Sequence, residues 1–99
     1  MKKSIFTIRK KKHAKHPQVI VYADRIIFKS LTLTHSKGRR RKRNIPLKFN
    51  PNPQDKKAAF VSKTTIKDFK FNYSKAFKNY RLSDDDIIAL IAFIEPKKK

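Results

Sequence analysis

The chain has 99 residues, enough for one domain and too few for two. Lys and Arg number 27 against 7 acidic residues, a net charge of +20, and there is no Cys. This excludes disulfide and thiol chemistry and Cys-based zinc sites, and self-repulsion at such a charge calls for a polyanion as counter-charge.

Nucleic acid supplies dense, regular negative charge, and release of its condensed counterions drives binding. RNA is the expected ligand, with DNA and an acidic protein as alternatives. A membrane surface would require a basic amphipathic helix or a lipid signal, and neither pattern is present. The first nine residues carry a positive flank without the apolar run of a signal peptide. The longest apolar run, 87–94, is too short to span a bilayer. The expected location is the cytoplasm.

In chain order, residues 4–9 predict a short strand carried by Ile5, Phe6 and Ile8. Lys10, Lys11, Lys12 and Lys15 form a basic connector with His13 and His16, and Pro17 disfavours helix at His16. Two histidines are too few ligands for a metal, so phosphate contact or plain exposure is expected of them. The segment 18–23 is rich in β-branched residues and predicts a strand, and 25–35 predicts another, with Asp24 as the turn residue between. In the second strand Ile27, Leu31 and Leu33 share one parity, interrupted by Lys29. Phe28, Ser30, Thr32 and Thr34 share the other. The Leu face is expected in the core and the hydroxyl face in solvent or at a site.

The segment 36–43 holds six positive charges in eight residues and the only Gly of the chain. Like charges this dense predict an exposed, mobile loop. Guanidinium groups grip phosphate bidentately and stack on unpaired bases. Lys37, Arg39, Arg40, Arg41, Lys42 and Arg43, with Lys10, Lys11 and Lys12 of the connector, are therefore the candidate nucleic-acid contacts. A solvated loop without a fixed ligand and a nuclear-localisation signal have the same pattern. Residues 44–49 alternate briefly, and Asn50-Pro51-Asn52-Pro53 breaks the chain. The stretches 58–63 and 64–69 read as one or two further strands.

Phe69, Phe71, Tyr73, Phe77 and Tyr80 interleave with Lys67, Lys70, Lys75, Lys78 and Arg81. Core packing is the commoner fate of Phe. Tyr73 and Tyr80, whose hydroxyls tolerate water, are the candidates for stacking on bases. Residues 74–79 allow one helical turn. Ser83 then caps a helix that opens on Asp84, Asp85 and Asp86 and carries the stripe Ile87, Leu90, Ile91, Ile94. Capping explains the three aspartates more simply than magnesium. No metal or cofactor site is expected. Ile88, Ala89, Ala92 and Phe93 make the helix apolar nearly all round, which suits a core plug or a face shared with a partner, including a homodimer through 84–94.

The expected architecture is mainly β with a C-terminal helix: a small, strongly bent SH3-like barrel closed by the helix. A flatter α+β sheet with one packed helix is the alternative. One domain over 1–95 is followed by a lysine tail, 96–99, expected to be disordered.

Thr34, His35, Ser36 and Lys37 lie where a strand meets the arginine-rich segment. RNA cleavage needs a base to take the 2′-hydroxyl proton, cations to stabilise the developing charge, and an acid to protonate the leaving oxygen. His35 suits base or acid, Thr34 or Ser36 can orient the phosphate, and Lys37 can stabilise the transition state. A strand-end His with two turn hydroxyls and no catalytic role has the same sequence.

Leu33-Thr34-His35-Ser36-Lys37, then Phe60-Val61-Ser62 and Leu82-Ser83-Asp84, occur in an order that resembles the small-barrel endoribonuclease toxins. These are the PemK/MazF group and the ToxN/AbiQ-like toxins, in which a strand ending in Leu-Thr precedes a basic loop. Asn44-Ile45-Pro46-Leu47 and Asn50-Pro51-Asn52-Pro53-Gln54-Asp55 also look like strings in small uncharacterised bacterial mobile-element proteins. The toxin resemblance implies an SH3-like barrel, an RNA substrate, metal-free cleavage and an antitoxin partner. Thr34 and Ser36 take the places of the toxin hydroxyls and Lys37 that of the basic residue, with His35 standing between them. A non-catalytic nucleic-acid binder, whether ribosome-associated, viral or plasmid-borne, is the second reading. An inhibitor or adaptor docking its basic face on an acidic protein is the third.

Overall fold

The alternating and β-branched segments form strands. The computed structural model describes residues 5–94; the lysine tail expected over 96–99 lies outside them. Among the described residues seven strands precede one α-helix: β1 (Ile8–Arg9), β2 (Gln18–Ala23), β3 (Ile27–Thr34), β4 (Gly38–Arg39), β5 (Lys42–Arg43), β6 (Ile45–Pro46), β7 (Phe60–Phe69) and α1 (Asp84–Ile94). Five of them make an antiparallel sheet in the order β1-β2-β3-β7-β6, and β4 and β5 make a separate hairpin. This mainly β chain with its C-terminal helix belongs to the small α+β, barrel-like class that the periodicity predicts.

The stretches 58–63 and 64–69 join in a single long strand. Its register slips against β3: Leu31 lies opposite Thr65 but Leu33 lies opposite Val61, so β7 carries two extra residues between. A one-residue bulge interrupts β2, between Ile20 opposite Ser30 and Tyr22 opposite Lys29. Bulges of this kind bend a strand and sharpen its twist.

Both faces of the sheet are covered. On one, Val19, Leu31, Leu33 and Val61 pack with Leu47, Leu82 and Leu90 of α1. Each such side chain contributes roughly 1.5–3 kcal/mol when fully buried. On the other, Ile20 and Phe28 pack with Tyr73. The hydroxyl parity of β3 is therefore covered at Phe28 and Ser30, while Thr32 and Thr34 stay half-buried. Ser30 is buried, its Oγ donating to Gln18 Oε1 (2.9 Å) and lying 3.0 Å from the Tyr73 hydroxyl. The cause is the segment 70–74, which folds back across this face. Lys12 N–H donates to the Asn72 carbonyl (2.8 Å) and Ser74 N–H to the Lys10 carbonyl (2.8 Å). Lys29 occupies the Leu parity by laying its ammonium 5.0 Å from the Tyr22 ring centroid.

Three local expectations are corrected. The strand expected over 4–9 is only Ile8–Arg9 in the described residues, because Ile5 and Phe6 form a turn with Phe6 at φ 61°. The charged segment 36–43 holds the β4–β5 hairpin rather than an irregular loop, with Arg40 and Arg41 at its turn. Gly38 takes φ 87°, and the Ser36 Oγ accepts its N–H (3.1 Å). Asn44 closes the base by donating its backbone N–H to the Lys37 carbonyl (2.8 Å) and its Nδ2 to the Ser36 carbonyl (2.9 Å). Finally, 74–79 contains no helical turn; a 3-10 turn forms earlier, over Lys70–Asn72. Phe77 N–H instead reaches the Ile8 carbonyl (2.8 Å), which draws that segment along β1.

The helix begins as its sequence predicts. Ser83 Oγ accepts the Asp86 N–H (3.2 Å). Asp86 is buried, and its carboxylate accepts the backbone N–H groups of Lys48 (2.7 Å) and Phe49 (3.2 Å). The helix covers the core on one face of the sheet, with Leu90 in the cluster and Ile87 and Ile94 packed against it. Leu90 is buried while Ile88 and Ile91 remain exposed. Among the described residues no helix is long and apolar enough to cross a membrane.

Candidate active site and nucleic-acid interface

β3 ends at the mouth of a cleft of about 200 Å³ lined by Thr34, His35, His16, Pro17, Asn50, Asn52, Asp55 and Tyr80, over a floor that includes Leu33 and Ala59. The antiparallel pairing of Gln18 with Thr32 continues as a hydrogen bond from Leu33 N–H to the Pro17 carbonyl (2.9 Å), which brings His16 opposite Thr34. Gln18 Nε2 donates to the His16 carbonyl (3.3 Å). The two histidines therefore reach one cleft from adjacent strand ends.

The opposite wall is the 50–59 loop, and its composition explains its shape. Asn and Asp side chains mimic a backbone turn by accepting the N–H two residues on. Asn50 does so to Asn52 (2.9 Å), Asn52 to Gln54 (3.0 Å) and Asp55 to Lys57 (3.0 Å). Asn50 Nδ2 ties the loop across to the Lys57 carbonyl (2.9 Å). Pro51 is buried, and its carbonyl accepts the Arg81 N–H (3.0 Å), which sets Tyr80 against the cleft. The result is a braced loop that presents Asp55 to His35.

His35 Nε2 lies 2.7 Å from Asp55 Oδ2. The Lys57 N–H, then His35, hold the Asp55 carboxyl below the usual carboxylate range. A carboxylate only accepts, so neutral His35 carries its proton on Nε2 and leaves Nδ1 with a free lone pair. The His35 side chain is 51% exposed, open to a ligand entering the cleft. Among the described residues no three His, Cys, Asp or Glu side chains converge as a metal site, although His16, His35 and Asp55 line the same cleft.

A scan of protein-family models, a search of curated proteins and a search of solved structures return no match to this chain.

Of the four residues read as catalytic, Thr34 and His35 line the cleft, while Ser36 and Lys37 belong to the base of the hairpin. Arg40, Arg41, Arg43 and Lys37 are exposed there, with Arg39 and Lys42 pairing through their backbones. Lys10 and Lys12 are exposed. Lys11 instead lies 2.9 Å from Asp68, whose pKa its hydrogen bond, with those of Asn72 and the Phe69 N–H, lowers to about 2. Tyr80 lines the cleft with its ring 4.9 Å from that of Phe77. Tyr73 is buried, edge-on to Phe28 at 5.1 Å, which corrects its reading as a stacking surface. Asp55, Asn50 and Asn52 were invisible as site residues from the β3 end alone. Their signal was the Asn-Pro-Asn-Pro-Gln-Asp string, a run of turn-forming side chains with a carboxylate at its close.

Proposed function

We propose that the protein binds RNA and cleaves it without a metal, with His35 as general base. The reading rests on one observation above all, the His35–Asp55 pair in a cleft shared with His16, three residues before the arginine-rich hairpin. The Asp55 carboxylate fixes the imidazole tautomer, and Nδ1 takes the proton of a ribose 2′-hydroxyl. The 2′-oxygen then forms a bond to the adjacent phosphorus, the bond to the 5′-oxygen breaks, and protonated His16 gives that oxygen its proton. A 2′,3′-cyclic phosphate and a 5′-hydroxyl remain. Thr34 Oγ1 and the Asn52 amide are the donors for the phosphate oxygens. Lys37, Arg40, Arg41 and Arg43 hold the flanking backbone.

The test is incubation of labelled single-stranded RNA with the protein in chelator, beside a His35→Ala variant. Cyclic-phosphate ends are expected from the natural protein, and a rate lower by about 10²- to 10⁴-fold from the variant. Equal cleavage by both proteins removes His35 from the chemistry. The same His–Asp pair also braces the 50–59 loop. RNA that is retarded on a gel yet stays intact leaves a protein that grips RNA without cutting it. Failure to retard RNA at low salt ends both readings.

A further inference from the structure

The strongest feature the cleft does not use is a pair of exposed rings at the far end of β7. Phe71 is 81% and Phe69 48% exposed, and their rings stack at 5.2 Å with an interplanar angle of 8°. Nothing in the packing accounts for them, since exposing a Phe forfeits the burial that makes it worthwhile. They are nevertheless held firmly. Lys70 N–H donates to the Ile26 carbonyl (2.9 Å), and Tyr73 N–H closes the 3-10 turn on the Lys70 carbonyl (3.0 Å). Asp68 Oδ1 accepts the Phe69 N–H (2.7 Å) and Asn72 Nδ2 (2.8 Å), while Oδ2 meets Lys11.

Phe71 is also one wall of an open groove whose other wall is the connector, with Lys10, Lys11, Lys12 and His13. An aromatic face set beside a row of cations is how unpaired nucleic acid is held: bases stack on the rings and phosphates follow the charge. The connector links this groove to the candidate cleft. Ala14 lines the first and His16 the second, and two residues of chain span at most about 7 Å.

We infer that Phe71, on its Phe69 support, is a stacking platform for an unpaired base of the RNA, and that Lys10 and Lys12 carry the phosphates beside it. This rests on the RNA-binding reading and names its substrate as single-stranded. A strand seated on the platform follows the connector to His16 and His35. Duplex RNA, whose bases are already stacked, gains nothing from the rings. A second copy of the chain or another protein would meet the rings and Ile26 by apolar contact and would derive nothing from the lysines.

The sequence contains no Trp, so Phe71→Trp introduces a single indole reporter, and Phe71→Ala removes the face. Phe71 is exposed enough for the fold to tolerate either change. Single-stranded oligouridine is expected to quench the Phe71→Trp fluorescence, and an RNA duplex to leave it unchanged. Phe71→Ala should weaken oligouridine binding by about 5- to 150-fold, the range for loss of one stacked base. Its duplex binding and the salt slope should not change. Unaltered affinity in Phe71→Ala with no quenching in Phe71→Trp overturns the platform. If oligouridine is then still cut, and the cutting depends on His35, the cleft reading stands without it. Concentration-dependent self-association lost in Phe71→Ala would instead make the rings an interface between copies. A natural protein that binds no RNA ends both proposals together.

Discussion

Replacing Asp86 by Ala should destabilise the domain by about 2–4 kcal/mol. The carboxylate is buried and accepts two backbone N–H groups, Lys48 at 2.7 Å and Phe49 at 3.2 Å, from a segment 37 residues or more away in sequence. Hydrogen bonds to a charged group contribute about 1.5–3 kcal/mol each, and both donors would be left without their acceptor. Relief from burying the carboxylate offsets part of this, which is why the sum falls short of two full bonds. For a domain near this size each kcal/mol moves Tm by about 4–8 °C, so a fall of roughly 10–30 °C is expected by calorimetry. Asp86→Asn should recover part of the loss, since one oxygen still accepts while the amide faces an N–H. Asp84→Ala is the control: that side chain is exposed and shares the same helix turn, with a cost of about 0.3–1 kcal/mol. If Asp86→Ala costs no more than Asp84→Ala, the carboxylate does not fasten 48–49 to the helix.

Replacing Lys37, Arg40, Arg41 and Arg43 together by Gln should lower the slope of log binding constant against log salt by about 3 for single-stranded RNA, at about 0.7 per phosphate contact. An unchanged slope in a salt titration would put the phosphate contacts elsewhere. Acid should loosen the connector in a defined window. Asp68 is held at about 2, chiefly by Lys11, so its contribution is fully present above the unfolded carboxylate value near 3.9 and is lost as pH falls from there through about 2. Asp68→Asn should therefore flatten the dependence of urea midpoint on pH below about 4. An identical acid limb in the variant would refute the assignment.

Periodicity located the elements whose side chains decide their structure locally. The β-branched run of 18–23, the alternation of 27–34 and the Ser83-capped stripe of 84–94 all appear as expected. What periodicity misses is who covers a face. Ser30 shares its parity with threonines, yet it is buried because Tyr73, 43 residues later, closes over it. Charge density misled at 36–43, where one Gly at positive φ and the two bonds from Asn44 outweigh repulsion between neighbouring cations. Half of the cleft was legible: Thr34 and His35 stand at a strand end beside the charge. Asp55 was not, since a 20-residue separation is bridged only by a loop whose turns hide in its Asn and Asp side chains. Phe71 was hidden for a different reason, because Phe is ordinarily a core residue and only its place in a 3-10 turn exposes it.

The position of β7 in the sheet bears on how the chain folds as it is made. It is inserted between β3 and β6, both of which precede it in sequence. A nascent chain that has emerged only to residue 59 therefore offers two unpaired strand edges with a gap between them. The cationic hairpin β4–β5, built from local bonds alone, can close before that gap is filled. Synthesis thus delivers the cationic hairpin ahead of the strand that makes the sheet whole. RNA close to the ribosome exit would meet the chain while its centre is still missing.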